Sequence, residues 1–348
     1  MSIETWATLA KFAVWLAALM GIVAPIMVWV ERRGMALIQD RRGPNRVGPF
    51  GLIQPLADAL KFIFKEEIVP TAADRTMYLL GPILALVPAL TTFLVIPMAP
   101  DLDFRGHHIP MVVIDGEAGV LLFLALSSLG VYSLVTSGYG SNNKYSQMGA
   151  VRASAQLISY ELAMAMAILA VLLPVGSFRL SEVVAWQQHH LWHDGKVHVW
   201  NVIAQLPGFL VFLIASFAET NRLPFDLPEA ESELVSGYGT EYGSMKWALF
   251  FMGEYINMAS LSALMSTLYL GGWSLPGVTL PAGWLGVAAG AGILATKVVL
   301  WMFFFVWVRF TFPRFRYDQL MALGWKVLLP ISLLTLVAVA ALTVAGVY

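Results

Sequence analysis

Ala153-Ser154-Ala155-Gln156-Leu157-Ile158-Ser159-Tyr160-Glu161-Leu162-Ala163-Met164-Ala165-Met166-Ala167-Ile168-Leu169-Ala170-Val171-Leu172-Leu173-Pro174 reads as one apolar helix with a single carboxylate inside it. A helix needs about 20 such residues to cross a hydrocarbon layer of ~30 Å. Seven further runs have this character: Trp6–Val30, Met77–Ala99, Ala118–Ser137, Val199–Ala218, Trp247–Gly271, Trp284–Val308 and Trp325–Val347. The alternation of a membrane β-barrel is missing, so internally bonded helices are the expected solution. Trp6, Trp29, Trp247, Trp284, Trp307, Trp325 and Tyr348 mark the ends of the runs, as interfacial aromatics do. The fold class expected is an all-α polytopic membrane protein with eight transmembrane helices in one membrane domain.

The composition agrees. Of 348 residues, 12% are charged and 58% hydrophobic, against about 25% charged in an average soluble domain. Mean hydropathy is +0.72. A net charge of −1 leaves no basic surplus for a nucleic-acid face. The chain has no cysteine, which excludes disulfides, Cys-ligated zinc and thiolate-held iron–sulfur clusters.

The few charges carry the orientation. Most of the 21 lysines and arginines fall in or beside the connections after the first, third, fifth and seventh runs. Lys11, Arg105, Arg179 and Lys196 lie on the other side, and Lys297 sits inside the seventh run. The positive-inside rule then places both termini outside the cytoplasm.

Residues 49–67 are too polar to be a ninth crossing. Leu52, Leu56, Leu60 and Ile63 recur at helical spacing, with Gln54, Asp58, Lys61 and Lys65 on another face. This is an amphipathic helix on the cytoplasmic surface, either an anchor or a wall of a site opening at headgroup level. Before it, Glu31-Arg32-Arg33-Gly34 and Gln39-Asp40-Arg41-Arg42-Gly43-Pro44-Asn45-Arg46 read as a rigid basic turn region. Five arginines without a lysine there fit a built anion-binding face as well as plain anchoring. All six histidines lie in the external connections. His189 and His193 have metal-compatible spacing, but no carboxylate completes a motif, so no metal site is expected. Gly237-Tyr238-Gly239 lacks the strand and lysine of a phosphate loop.

Glu161, Glu254 and Lys297 fall inside apolar runs and Glu219 ends one. A charge at mid-membrane costs roughly 2.5–3.5 kcal/mol, so such groups face the bundle interior, pair or become neutral. The simplest structural account pairs Lys297 with Glu161 or Glu254; the functional one is a proton relay. The connection over 219–246 is strongly acidic. It holds Glu219, Asp226, Glu229, Glu231, Glu233 and Glu241 against Arg222 and then Lys246. Its interleaved Leu223, Phe225, Leu227, Leu234 and Val235 suit a loop folded onto the bundle, where clustered carboxylates titrate together.

Four blocks resemble the H-type (ND1 in mitochondria) membrane component of respiratory complex I, the proton-pumping NADH:quinone oxidoreductase. They are Glu31-Arg32 through Gly43-Pro44-Asn45-Arg46-Val47-Gly48-Pro49 and on to Lys61; Ser141-Asn142-Asn143-Lys144-Tyr145 with Arg152 to Gln156 and Ser159-Tyr160-Glu161; Ala218-Glu219-Thr220-Asn221-Arg222 through Val235; and Pro313-Arg314-Phe315-Arg316-Tyr317-Asp318-Gln319-Leu320. The resemblance implies a multi-pass subunit of a bacterial cytoplasmic (inner) membrane translocase that forms much of the quinone chamber. It implies proton translocation coupled to quinone reduction through a chain of carboxylates.

Carried over by position, Arg32, Arg222, Phe225 and Asp226, with Arg309 and Arg314 of the last cytoplasmic loop, are the quinone-binding candidates. Glu161, Glu219, Glu229, Glu231, Glu233, Glu241 and Glu254 are the proton-coupling candidates. Quinone is the implied substrate, with NADH, FMN and iron–sulfur clusters on partner subunits. The implied partners are peripheral-arm, small membrane and antiporter-like subunits and membrane lipid. No redox activity is expected of the isolated chain. A homologous subunit of a membrane-bound hydrogenase-type complex and a stand-alone ion transporter are the competing readings.

Overall fold

The computed structural model describes residues 3–104, 106–189, 191–192, 197–198, 200–227 and 235–346. Among the described residues, seven helices are long and apolar enough to cross a membrane: Thr8–Ile38, Arg75–Val95, Gly119–Gly140, Lys144–Val175, Ser244–Tyr269, Trp284–Thr311 and Tyr317–Val344. The only sheet among the described residues is two short antiparallel hairpins, pairing Leu102–Phe104 with His107–Ile109 and Leu191–Trp192 with Val197–His198.

The eighth element, expected over 199–218, is shorter and broken. One turn, Asn201–Ala204, precedes a helix over Leu206–Glu219. The break is at Gln205, with φ −126° and ψ 46°. Pro207 follows two residues later and lacks the N–H that would continue the first turn. The 14-residue helix is only about 21 Å long. Its first end is held by Gln205 Nε2 donating to the Ala170 carbonyl at 3.2 Å.

Other helices outrun their apolar cores. The first continues to Ile38, so Glu31, Arg32, Arg33 and Gly34 are helical rather than part of a basic turn; a single glycine inside a helix costs only about 1 kcal/mol and does not end it. Arg309 likewise lies in the last turn of Trp284–Thr311, not in the loop after it. Asn143 caps Lys144–Val175 by accepting from the Tyr145 amide at 3.0 Å, and Gly176 ends it in the left-handed region at φ 71°. Asp74 caps Arg75–Thr92 by accepting from the Thr76 and Met77 amides.

Ser244–Tyr269 is the central helix. Every residue from 258 to 269 is buried, so it has no outward stripe. It packs against Arg75–Thr92 and Trp284–Thr311. Its close approaches use small residues: a Cβ on Gly253 would lie 3.0 Å from the Ala85 carbonyl oxygen, and the Thr92 hydroxyl donates to the Ser260 hydroxyl at 2.9 Å. The peripheral helices instead turn apolar side chains such as Leu300, Leu334 and Val337 outward.

The amphipathic helix forms over Gln54–Phe64, after a 3-10 turn at Pro49–Gly51. Leu52, Leu56, Leu60 and Ile63 are all exposed, while Asp58 faces inward. Its apolar side chains therefore point away from the bundle, with Gln54 and Asp58 turned inward and Lys61 and Lys65 exposed, an arrangement that suits a helix lying in the membrane surface.

Lys297 does not pair with Glu161 or Glu254. Its ammonium donates to the carbonyls of Leu270, Gly272 and Ser274 at 2.6, 2.7 and 2.7 Å, and lies 4.8 Å over the Trp200 ring. These carbonyls are at the C-terminal end of the central helix, where unpaired acceptors and the negative end of the helix dipole suit a cation.

Candidate functional site

At the arginine-rich end, four distant stretches of chain meet around Glu31. The first helix delivers Glu31 about two turns before its end at Ile38. The turn after Leu206–Glu219 delivers Arg222, the central helix Glu254 and Tyr255, and the last turn of Trp284–Thr311 delivers Arg309. Arg222 Nη1 donates to Glu31 at 3.3 Å, its Nη2 lies 3.6 Å from Glu254, and its guanidinium sits 4.7 Å over the Tyr255 ring. The Tyr255 hydroxyl donates to Glu31 at 2.9 Å, and Arg309 donates to the other Glu31 oxygen. Two guanidiniums and two carboxylates thus form a quartet in the order Arg309, Glu31, Arg222, Glu254.

These side chains are largely out of water: Arg222 is 4%, Glu31 12% and Glu254 15% exposed. Burying such ions costs several kcal/mol each, which only good geometry and full hydrogen bonding offset. A hydrophobic packing of equal volume would serve stability as well, so the quartet points to a role beyond holding the fold.

A second pair lies beside it. Arg314 Nη2 donates to Asp226 at 2.9 Å, with Asp226 only 7% exposed. Burial pushes the Asp226 carboxyl above the usual carboxylate range; Arg314, then Arg309 and Arg222, pull it back. The second Asp226 oxygen has no hydrogen-bond partner among the described residues.

Phe225 is 3% exposed and packed in the core, edge-on to Tyr160 at 5.3 Å and tilted on Phe315 at 5.5 Å. Its carbonyl accepts from Gln156 at 2.8 Å. Phe225 therefore pins the loop that presents Arg222 and Asp226 and offers no open ring face. Arg32 is turned away from the quartet. It is 43% exposed and bonds Asp58 of the surface helix at 2.5 Å.

Behind the quartet a cavity of about 70 Å³ runs into the bundle, room for a short file of waters at roughly 10–15 Å³ each. Glu219, Glu254, Tyr238, Asn221 and Asn257 line it. The Tyr238 hydroxyl donates to Glu254 at 3.3 Å. One Glu219 oxygen is unpartnered among the described residues. Glu161 accepts from the Ser128 hydroxyl, on the helix that also brings Ser127 to the cavity wall. Glu161 sits on Lys144–Val175, which packs against the helix that ends at Glu219. Glu254 thus belongs to both the quartet and the cavity.

Glu241 stands apart from this group in its contacts: its carboxylate accepts from Asn143 at 2.6 Å and its carbonyl from the Tyr78 hydroxyl at 2.9 Å. Glu229, Glu231 and Glu233 lie outside the described residues, as do His190 and His193.

Glu31 and Tyr255 are the hubs that pattern reading passed over. Glu31 stood among arginines and read as part of a basic turn. Tyr255 lies in an apolar run and drew no separate notice. The available signal was their position: a carboxylate at the very end of a span, and a hydroxyl adjacent to an intramembrane glutamate. Among the described residues no group of three or more His, Asp or Glu is arranged to hold a metal ion.

A family model described as NADH dehydrogenase matches residues 10–340. The chain is 47% identical to an H-type component of the NADH-quinone oxidoreductase of Cytophaga hutchinsonii, over 91% of each chain. It is 48% identical to an H-type component of the same enzyme in Geobacter sulfurreducens, over 90% of each. It is 47% identical to NADH-quinone oxidoreductase subunit 8 of Thermus thermophilus, over 92% of this chain and 85% of that one. A match spanning nearly every helix that builds the quartet and its cavity leaves one assignment: the chain belongs to the NADH dehydrogenase family.

Proposed function

We propose that this chain is the membrane subunit of a proton-translocating NADH:quinone oxidoreductase that forms part of the quinone chamber and passes the consequence of quinone reduction to the membrane carboxylates. It would cross the bacterial cytoplasmic membrane eight times, counting Leu206–Glu219, with the quartet at the cytoplasmic end. Peripheral-arm, small membrane and antiporter-like subunits are its partners. The iron–sulfur clusters belong to those partners, since this chain has no cysteine to hold one, and FMN is assigned to the partners with them.

The observation that carries the reading is Glu254. It touches Arg222 of the quartet on one side and lines the Glu219 cavity on the other. Reducing a quinone to a quinol takes two electrons and two protons, so negative charge develops beside the arginines before it is neutralised. Arg222, Arg309 and Arg314 supply fixed positive charge for that moment. Each is also bound to a carboxylate. Drawing a guanidinium toward an anionic headgroup weakens its hold on Glu31, Glu254 or Asp226. Glu254 can then exchange a proton with the cavity, and Glu219 and Glu161 continue the path inward. The acidic loop, including Glu229, Glu231, Glu233 and Glu241, would adjust at the same time.

The test is Glu254→Gln in the assembled complex, with quinone reduction and proton pumping measured on the same membranes. Pumping should fall severely relative to electron transfer. If both stay at the wild-type level, the coupling role is wrong.

A further inference from the structure

The surface helix Gln54–Phe64 has no buried residue of its own. Something other than a packed core must seat it. Toward its first end Asp58 bonds Arg32, and the Phe50 carbonyl accepts from Trp29 and Arg33 at 3.0 and 2.7 Å. These contacts tie it to the helix that carries Glu31.

Its other end is fastened to the central helix. Ser244, the first residue of that helix, has φ +55°, a left-handed conformation that a serine keeps only where its surroundings enforce it. Its hydroxyl does not cap its own helix. It reaches across to the Phe62 and Lys65 carbonyls at 3.0 and 2.8 Å, at the C-terminal end of the surface helix where acceptors lack helical partners. Two residues on, Lys246 is 7% exposed, lies 3.1 Å from Glu67 and sits 5.3 Å over the Tyr78 ring. The surface helix is thus a strut between the helix of Glu31 and the helix of Glu254 and Tyr255, whose side chains meet in the quartet.

We propose that Ser244 and Lys246 are positioning residues: they seat the far end of this strut and so set how readily a long-tailed quinone enters from the bilayer. This rests on the quinone-chamber reading above. The strut presents Leu56, Leu60 and Ile63 outward, an apolar surface along which an isoprenoid tail can lie. A tail passing at this level must displace or skirt it. A strut pinned at both ends resists that displacement; one pinned only by Asp58 and Phe50 swings. A short-tailed quinone reaches the chamber without engaging the strut along its length.

The experiment uses membranes with the intact complex carrying Lys246→Met, Lys246→Arg or Ser244→Ala. KM and kcat are measured for a long isoprenoid-tailed and a short alkyl-tailed quinone, with NADH oxidation by a water-soluble acceptor reporting assembly. For Lys246→Met, KM for the long-tailed quinone should change by about threefold more than KM for the short one, a modest factor because Glu67 is half exposed. Lys246→Arg should restore the wild-type ratio. Should Lys246→Met fail to assemble, Ser244→Ala removes only the carbonyl contacts and should show the same tail-length dependence. Equal effects on both quinones, or an unchanged ratio in the variants that assemble, overturn the proposal. Bulky substitution at Ala57, on the strut itself, separates the two readings. Tail-length dependence there but not at Lys246 or Ser244 discards the positioning role alone; none at any site discards the entrance as well.

Discussion

Arg314→Gln removes the closest positive charge from Asp226. The wild-type carboxyl is 7% exposed and its one good partner is Arg314 at 2.9 Å. Stripping one partner from a buried ion pair costs about 3–5 kcal/mol. Arg314 is 31% exposed, so solvent screens part of its charge, and Arg309 and Arg222 still act on Asp226. We take about 2 kcal/mol, which lowers the ionised-to-protonated ratio about thirtyfold at a given pH. The sign follows from the burial. Asp226 already holds its proton more tightly in the fold than in the unfolded chain, so its ionisation opposes folding as pH rises from the ordinary carboxylate range through the raised value. Loss of Arg314 extends the upper end of that window.

If ionised Asp226 is needed to hold the chamber, the acid limb of quinone-reductase activity moves to higher pH in Arg314→Gln. Asp226→Asn should lose activity without that pH-dependent limb. The assay is NADH:quinone activity against pH in membranes, normalised to NADH oxidation by a water-soluble acceptor. An Arg314→Gln profile that overlays the wild type, at equal assembly, refutes the electrostatic argument.

Tyr255→Phe keeps the ring beneath Arg222 and removes only the hydroxyl that donates to Glu31. A hydrogen bond to a charged group contributes about 1.5–3 kcal/mol, so quinone reduction should fall about tenfold with assembly intact; an unchanged rate would remove Tyr255 from the site. Lys297→Met leaves the Leu270, Gly272 and Ser274 carbonyls without their shared donor. The subunit should be destabilised by about 3 kcal/mol, seen as loss from the solubilised complex at lower temperature. Quinone KM should not move, since Lys297 caps the C-terminal end of the central helix, about four turns beyond Tyr255.

The arginines show how much of the site was readable. Arg222, Arg309 and Arg314 were named through the resemblance of their blocks, and the structure gathers all three at one end. Arg32 looked equivalent and is not: it leaves the same helix as Glu31 one residue later, on another face, and meets the surface helix instead. Helical phase decides that difference, and the basic run hid it because the helix continued further than its apolar segment. Phe225 was named through the resemblance of its block, and the structure adds that it is buried against Tyr160 and Phe315, where it anchors the loop. For Lys297, sequence offers only opposite charges to pair with. Three backbone carbonyls at a helix end are better partners, and no sequence pattern advertises them.

The sequence by itself determined the solvent, the class of fold and the family. Apolar length, the sorting of basic residues and the loop motifs are local properties, and lipid tolerates few arrangements of them. Tertiary structure decided which charges meet. Glu31, Arg222, Glu254 and Arg309 come from stretches up to 278 residues apart. Their contact depends on helix rotation and packing depth, to which hydropathy is blind, and it is that contact which joins the arginine-rich end to the carboxylate cavity.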